Sequence, residues 1–173
     1  MTVPSKPFAD DPFTDYQLQQ FAIEAGWPKP LIPTLGRIIK AESDGRQFAL
    51  NQKGDDDSYG LTQINMLDDP GDETKGISPY LLGTERRDRY NLESNEDLFD
   101  PITNLRIAYD LYKRKGNTFN DWSTFTETEA PRYYKNFEWN PQNPNDNRDK
   151  AVGLSEKWKG KGTMSIPVVP FEE

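Results

Sequence analysis

"PLIPTLGRIIKAES", residues 30–43, has the apolar spacing of a helix. Its aliphatic side chains recur at i, i+4, i+7 and i+8, the spacing of an apolar face on an α-helix. These side chains are Leu31, Leu35, Ile38 and Ile39. The next position on that face holds Glu42, and Gly45 predicts that the helix ends just beyond it. The pattern predicts an amphipathic helix with one carboxylate on its apolar face.

Glu42 is the first candidate for chemistry. A carboxylate on an apolar face is partly desolvated, which raises its pKa because burial disfavours the charged form. The negative end of the helix dipole acts in the same direction. A protonated Glu42 near neutral pH would suit a general acid. The alternative is that Glu42 turns outward at the last helical turn and is simply solvated.

The next informative stretch is "SYGLTQIN" (58–65), which follows three consecutive aspartates. Together with "FALNQ" (48–52), it predicts short strands of a small sheet or an ordered loop. Leu61 and Ile64 are expected to lie in the core.

Two more helices have clear start signals. "TDYQ" (14–17) is a capping-box pattern, and the helix that it begins should end at Gly26. Asp100 followed by Pro101 begins another helix, because Asp caps free amides and Pro suits the first turn. The apolar spacing carries that helix to Gly116.

The remaining segments are less regular. Residues 66–98 are rich in Asp, Glu, Gly and Pro and predict a long excursion with at most one short helix. A short helix is expected to carry Trp122 and Phe125, and another to begin near Pro131. The predicted organisation is an extended N-terminal arm (1–13), one domain (14–140) and a turn-rich C-terminal extension (141–173).

Composition excludes several classes of site. The 173 residues include no histidine and no cysteine, which rules out Ser-His-Asp and Cys-His catalysis, zinc fingers and thiolate redox chemistry. Carboxylates remain for proton chemistry at neutral pH, with Tyr or Lys in support, and no metal or cofactor is predicted. A net charge of −8 disfavours nucleic-acid binding. No signal peptide and no membrane span are predicted.

Three motifs in order resemble those of the lysozyme-like lytic transglycosylases, in particular a phage-type branch. The first is a helix that ends in Glu42–Ser43. The second is Gly-Leu-x-Gln-Ile within 58–65, and the third is an Asp-Pro-x-x-Asn helix, "DPITNLRIAYDLYKRKG" (100–116). The resemblance covers roughly residues 30–140. It implies a mainly helical, α+β lysozyme-like fold, in which a small sheet or ordered loop forms one wall of a cleft.

The family's late Ala-Tyr-Asn motif has no literal match. The nearest segment is "APRYYKNF" (130–137). The resemblance implies that Tyr134 or Tyr133 supplies the hydroxyl that hydrogen-bonds the catalytic glutamate. Either tyrosine also has an ordinary core role as its alternative.

The resemblance implies cleavage of the β-1,4 bond between N-acetylmuramic acid and N-acetylglucosamine in peptidoglycan. Glu42 would protonate the leaving oxygen and then act as the base on the C6 hydroxyl, giving a 1,6-anhydromuramoyl end. A hydrolase would need a second carboxylate about 5 Å or ~6.5–9.5 Å away. The candidates are Asp55, Asp56 and Asp57, with Asp68 and Asp69 behind them. The alternative for the first three is a solvated turn.

Residue types within the motifs suggest substrate contacts. Ser58, Gln63 and Asn65 would hydrogen-bond sugar hydroxyls and N-acetyl groups, and Ser43 belongs to the predicted substrate-binding set. Gly60 would allow close approach of the backbone to a sugar, and Tyr59 would offer a flat face to a pyranose ring. Further stacking candidates, each with a core role as its alternative, are Trp122, Tyr134 and Trp139.

The expected partners are peptidoglycan glycan strands and, through the proline-rich ends, other proteins of a phage virion or tail. The expected location is a virion or the host periplasm and cell wall. The alternative to an enzyme is a non-catalytic wall-binding or structural virion protein on the same fold.

Overall fold

The computed structural model describes residues 12–125 and 137, which form a mixed structure of helices and small antiparallel sheets. Its α-helices are α1 (Asp15–Glu24), α2 (Ile32–Ser43), α3 (Leu82–Tyr90) and α4 (Pro101–Arg114). Its strands are β1 (Leu50–Asn51), β2 (Ser58–Tyr59), β3 (Ile64–Asn65), β4 (Asp68–Asp69) and β5 (Tyr80–Leu81). Three 3₁₀-helices occupy Lys29–Leu31, Glu73–Lys75 and Asn95–Phe99. No helix in the described part of the chain is both long and apolar enough to cross a membrane.

Helix α1 begins at the predicted capping box. Thr14 Oγ1 accepts a hydrogen bond from Gln17 N at 3.1 Å, and Gln17 Oε1 accepts one from Thr14 N at 2.9 Å. Phe13, placed by prediction in the extended arm, is instead buried against Phe21 and donates its N–H to Gly45 O. Phe13 therefore belongs to the packed structure although it lies ahead of the predicted boundary, because an aromatic side chain just before the cap packs onto the helix.

Helix α2 is confirmed and contributes its apolar face to the core. Leu35, Ile38 and Ile39 are each almost completely buried, as the apolar spacing predicted. The helix ends where Asp44 adopts a left-handed conformation (φ 56°) and Gly45 follows with φ 74°. This end fixes where Glu42, on the last turn, meets the sheet.

Helix α4 is also confirmed, with Asp100 as its N-cap. The Asp100 carboxylate accepts a hydrogen bond from Thr103 N at 2.8 Å, and Pro101 occupies the first turn. The helix ends at Arg114, two residues before the predicted glycine. It packs against α1 and against the 3₁₀-helix Asn95–Phe99.

"SYGLTQIN" forms a hairpin rather than one strand. β1, β2 and β3 form an antiparallel sheet in that order, in which Asn51 pairs with Ser58 and Ser58 pairs with Asn65. A tight turn through 60–63 joins β2 to β3. Leu61 and Ile64 are buried, as predicted.

The excursion at 66–98 has more order than its composition suggested. β4 and β5 form a second antiparallel sheet, with Asp68 paired to Leu81. α3 is the single short α-helix that the prediction allowed, and two of the 3₁₀-helices were not predicted. The predicted helix at Trp122 and Phe125 is wrong, since 120–125 forms turns. There the Trp122 indole donates to Thr62 O at 2.8 Å, so a tertiary bond overrides local preference. The helix predicted near Pro131 lies outside the described residues.

Candidate functional site

Glu42 opens into a cavity of about 290 Å³ between the end of α2 and the first sheet. We call this cavity the acid pocket. Its lining is polar and contains amides, hydroxyls and two further carboxylates. The lining residues are Glu42, Asn51, Asp56, Ser58, Gln63, Asn65, Asp121, Trp122 and Ser123.

Partial burial raises the pKa of Glu42 above the usual value for a glutamate. Thr124 Oγ1 donates a hydrogen bond to Glu42 Oε1 at 2.8 Å, which opposes the shift because it stabilises the carboxylate. The negative charge of Asp56 adds to the rise. Thr124 had no signal in the sequence, and its segment was expected to be a helix. Glu42 therefore faces the pocket and does not turn out to solvent.

Of the three consecutive aspartates, only Asp56 lines the acid pocket. It is exposed and accepts a hydrogen bond from Asn51 Nδ2 at 3.1 Å, whereas Asp57 accepts one from Gln52 Nε2 at 2.9 Å. The segment is a turn between β1 and β2, which agrees with the predicted alternative of a solvated turn. The same turn also brings one carboxylate to the pocket.

Ser43 supports Glu42 from inside the fold. Its hydroxyl is buried and donates to Leu61 O at 2.7 Å, with Ile39 O at 3.0 Å, and it accepts from Gly45 N at 3.2 Å. The prediction that Ser43 binds substrate is therefore wrong, because its hydrogen-bonding capacity is used within the protein. Its role is to tie the end of α2 to the hairpin turn.

Asn104 organises the hairpin turn and was not among the predicted site residues. It is 0 % exposed, and its side-chain oxygen accepts from Thr62 N at 3.1 Å and from Thr62 Oγ1 at 2.7 Å. Its amide nitrogen donates to Tyr59 O and Leu98 O, both at 3.0 Å. All four hydrogen-bonding positions of the amide are satisfied. The Asp-Pro-x-x-Asn pattern was the available signal for this residue.

Gly60 makes room for Asn104, not for a sugar. Its φ is +76°, and a Cβ there would lie 2.5 Å from both Asn104 Nδ2 and Leu98 O. The predicted close approach at Gly60 is real, but it is made by the protein itself. The substrate-binding prediction for Gly60 is therefore corrected to a structural role.

Tyr59 is a core residue. It is 5 % exposed, packs against Phe99 and does not line the acid pocket. Its hydroxyl lies 3.5 Å from Asn95 Nδ2. Because it pairs with Ile64 in the register of the sheet, its side chain points to the buried face. The predicted stacking of Tyr59 on a pyranose ring is wrong.

Ser58, Gln63 and Asn65 do line the acid pocket. Gln63 has φ +51°, and its side-chain nitrogen donates to Ala49 O and Gly60 O. Asn65 Oδ1 accepts from Asp57 N at 3.1 Å. These internal bonds fix the orientation of the side chains, so their remaining polar atoms are held in place beside Glu42.

Trp122 is 5 % exposed and lies mainly in the core, with part of its surface on the acid pocket. The pocket also contains Asp121, Ser123 and Asn51, which sequence analysis did not identify. Asp121 is ion-paired to Lys115 Nζ at 3.0 Å. The predictions for Tyr133, Tyr134 and Trp139 lie outside the described residues.

A second cavity of about 210 Å³ adjoins the acid pocket, and we call it the arginine pocket. The two cavities share four lining residues, namely Gln63, Asn65, Asp121 and Trp122. Its other lining residues are Ile64, Tyr80, Leu82, Arg86 and Leu111. Because they share these four residues, the two pockets are neighbours, and we refer to them together as the groove.

Among residues 12–125 and 137, no group of three or more acidic side chains is arranged to hold a metal ion. Comparisons of the chain with protein-family models, with curated proteins and with solved structures gave no match. The geometry of the groove and the residue patterns therefore carry the functional argument.

Proposed function

We propose that this protein is a peptidoglycan-cleaving enzyme of lysozyme-like architecture, with Glu42 as its general acid. The observation that carries the proposal is a partly buried glutamate with a raised pKa, facing a groove lined by fixed amides and hydroxyls. Groups of this kind suit hydroxyl and N-acetyl substituents of a sugar chain. A protonated carboxyl beside such a chain is what cleavage of a glycosidic bond requires.

The reaction proposed is lytic transglycosylation at the bond between N-acetylmuramic acid and N-acetylglucosamine. Glu42 gives its proton to the bridging oxygen as the bond from that oxygen to C1 breaks. The resulting Glu42 carboxylate takes the proton of the muramic acid C6 hydroxyl as that oxygen bonds to C1. The product is a 1,6-anhydro ring, and Glu42 ends the cycle protonated. Only one protein carboxyl group takes part in these steps, and it is regenerated at the end.

Asp56 favours a second candidate, a hydrolase of the lysozyme type. Its carboxylate lines the same pocket as Glu42, and its charge reaches Glu42. In a hydrolase, Asp56 would activate water or stabilise the positive sugar centre. In a hydrolase, Asp56→Asn should lower the rate by ~10²-fold or more, the smallest loss that is usual for an acid–base group. In a transglycosylase, the same variant should keep its rate within about tenfold of the wild-type rate.

A non-catalytic wall-binding protein of a virion is the alternative from another class. A binding protein gains nothing from a carboxyl group whose ionised form is destabilised by burial. The environment of Glu42 therefore favours an enzyme over a non-catalytic binding protein. We place the enzyme in a phage particle or in the host cell envelope, with glycan strands as its partner.

The test is digestion of purified peptidoglycan by the wild type and by Glu42→Gln, with product masses determined by mass spectrometry. We expect 1,6-anhydromuramoyl ends from the wild type and a loss of rate of about 10²-fold or more in the variant. Glu24→Gln is the matched control, because Glu24 is an exposed residue at the end of α1. Full activity of Glu42→Gln would overturn the mechanism. Reducing ends in place of anhydro ends would identify the hydrolase.

A further inference from the structure

Arg86, on α3, contributes a cationic side chain to the arginine pocket. Its Nη1 donates to Asn65 O at 2.7 Å. Its Nε is shielded from solvent and has no hydrogen-bond partner in the described part of the chain. Within that part, no carboxylate lies within ion-pair distance of Arg86. Its helix neighbours differ, because Arg87 is paired with Asp68 and Arg89 with Glu85.

This arrangement is costly for the protein alone. Burial lowers the pKa of Arg86, while the charge of Asp121 acts in the opposite direction. A partly desolvated cation is normally paired, because its lost hydration must be replaced. Asp121 shares the pocket wall, but its nearest cation is Lys115 at 3.0 Å. The bond to Asn65 O keeps Arg86 fixed, so the positive charge is oriented before any ligand arrives.

An exposed aromatic residue lines the same pocket. Tyr80, in β5, is 55 % exposed and lines the cavity with Leu82. A half-exposed tyrosine offers a flat apolar face and a polar tip, which suits the apolar face of a pyranose ring. The pocket therefore combines a stacking surface, a fixed cation and the shared amides of Gln63 and Asn65.

We propose that the arginine pocket is a second subsite, which takes a sugar unit whose carboxylate pairs with Arg86 and whose ring lies on Tyr80. The inference rests on the proposed function, since the acid pocket would hold the scissile bond next to it. Peptidoglycan carries carboxylates in two places, the lactyl ether of muramic acid freed of peptide and the stem peptides. N-acetylglucosamine oligomers carry none. Arg86 thus selects acidic glycans over neutral ones of the same backbone.

The test measures binding in the Glu42→Gln background, which holds ligands without turnover. Three soluble probes are titrated by calorimetry: a peptide-free muramic-acid tetrasaccharide, the same tetrasaccharide with stem peptides, and neutral chitotetraose. Replacing Arg86 by Gln should weaken an acidic probe about tenfold or more and chitotetraose less than about twofold, since a charged hydrogen bond is worth ~1.5–3 kcal/mol. Arg86→Lys should recover part of the loss. Arg89→Gln, on the same helix, is the matched control and should change nothing.

The two acidic probes separate the sources of the carboxylate. A loss confined to the peptide-free probe assigns the lactyl group, and a loss confined to the peptide-bearing probe assigns the stem. Equal weakening of all three probes, or of none, would overturn the proposal. The unmutated Arg86 protein gives an independent check if the variant is unstable. Its affinity for an acidic probe should fall with ionic strength, while chitotetraose binding stays constant.

Failure of the subsite and failure of the enzymatic function give different results. Charge-selective binding without cleavage of peptidoglycan by the wild type would overturn the enzyme and keep the subsite. Cleavage of peptidoglycan without charge-selective binding would overturn the subsite and keep the enzyme. Tyr80→Ala tests the proposed stacking contact separately. Losing the stacking face should weaken the binding of neutral and acidic probes alike.

Discussion

The two antiparallel sheets flank the same groove but are built in different ways. The first sheet, β1 to β3, is attached to the core by Asn104 and Ser43, and its hairpin turn is buried. The second sheet, β4 and β5, is exposed along both strands and is attached through Asp68 to Thr84 and Arg87. The difference suggests a division of labour: a rigid wall orients polar groups beside Glu42, while an exposed hairpin presents a recognition surface.

Breaking the rigid wall should have the largest effect. Asn104→Ala leaves a buried N–H, a hydroxyl and two carbonyls without their partner, at about 1–3 kcal/mol for each unsatisfied group. We expect the free energy of unfolding to fall by roughly 3 kcal/mol or more, measured by urea denaturation. Asn120→Ala, at an exposed asparagine, is the control and should be nearly neutral. If Asn104→Ala lowers the free energy of unfolding by less than ~1 kcal/mol, the Asn104 hydrogen bonds do not hold the hairpin turn in place.

Alanine substitutions at one glycine in each sheet region allow the two sheets to be compared directly. Gly60 has φ +76° and Gly76, in the loop between β4 and β5, has φ +70°, but a Cβ at Gly76 would touch nothing within 4 Å. Both alanine variants pay the cost of positive φ, about 1–2 kcal/mol. Gly60→Ala adds a clash with Leu98 O and Asn104, so we expect roughly 2–4 kcal/mol in total. Thermal unfolding of both variants tests this, and equal losses would contradict the packing argument.

A smaller effect concerns the titration of Glu42. Asp56→Asn removes a charge that raises the pKa of Glu42, so that pKa should fall. Thr124→Val removes a hydrogen bond that lowers it, so the pKa should rise. A general acid works protonated, and the high-pH limb of the activity profile should therefore move down in pH for Asp56→Asn and up for Thr124→Val. NMR titration of the Glu42 carboxyl measures the same shifts without needing activity. Shifts in a common direction would disprove the assigned causes.

The smallest effect is expected in the second sheet. Desolvation acts to raise the pKa of Asp68, but the hydrogen bonds from Thr84 and Arg87 together outweigh it and hold that pKa below its usual value. A lowered pKa in the folded state gives stability above the unfolded pKa, and that stability is lost as pH falls through the folded pKa. Asp68→Asn should therefore cost less than about 1 kcal/mol at neutral pH and nothing in strong acid. Denaturation at both pH values checks this, and the Glu42 titration should stay unchanged.

The helices could be predicted because their signals are local. The Thr14 capping box, the stripe on α2 and the Asp100–Pro101 start each lie within a few residues of the feature that they specify. The segment 120–125 could not, because its turns depend on a bond from Trp122 to the distant Thr62 O. The second sheet was missed because Asp68 and Asp69, which pair with Leu81 and Tyr80, have low strand propensity.

The site residues show the same difference between local signals, which could be predicted, and long-range contacts, which could not. Glu42 was predictable because it interrupts an apolar face, and the residue types within "SYGLTQIN" led to Ser58, Gln63 and Asn65. Tyr59 was assigned to the wrong side, because the inward or outward orientation of a two-residue strand depends on its register. Thr124 reaches Glu42 across 82 positions of sequence, a contact that no local pattern encodes.

That long separation also sets when the groove can exist during synthesis. Thr62 and Asn104 are 42 positions apart, so the hairpin turn gains its hydrogen bonds to Asn104 only after that residue has left the ribosome. Glu42 gains its threonine partner later still. Contacts so far apart in sequence form late, because the entropy of closing a long loop must be paid first. A nascent chain therefore carries α2 with Glu42 well before it carries the complete acid pocket.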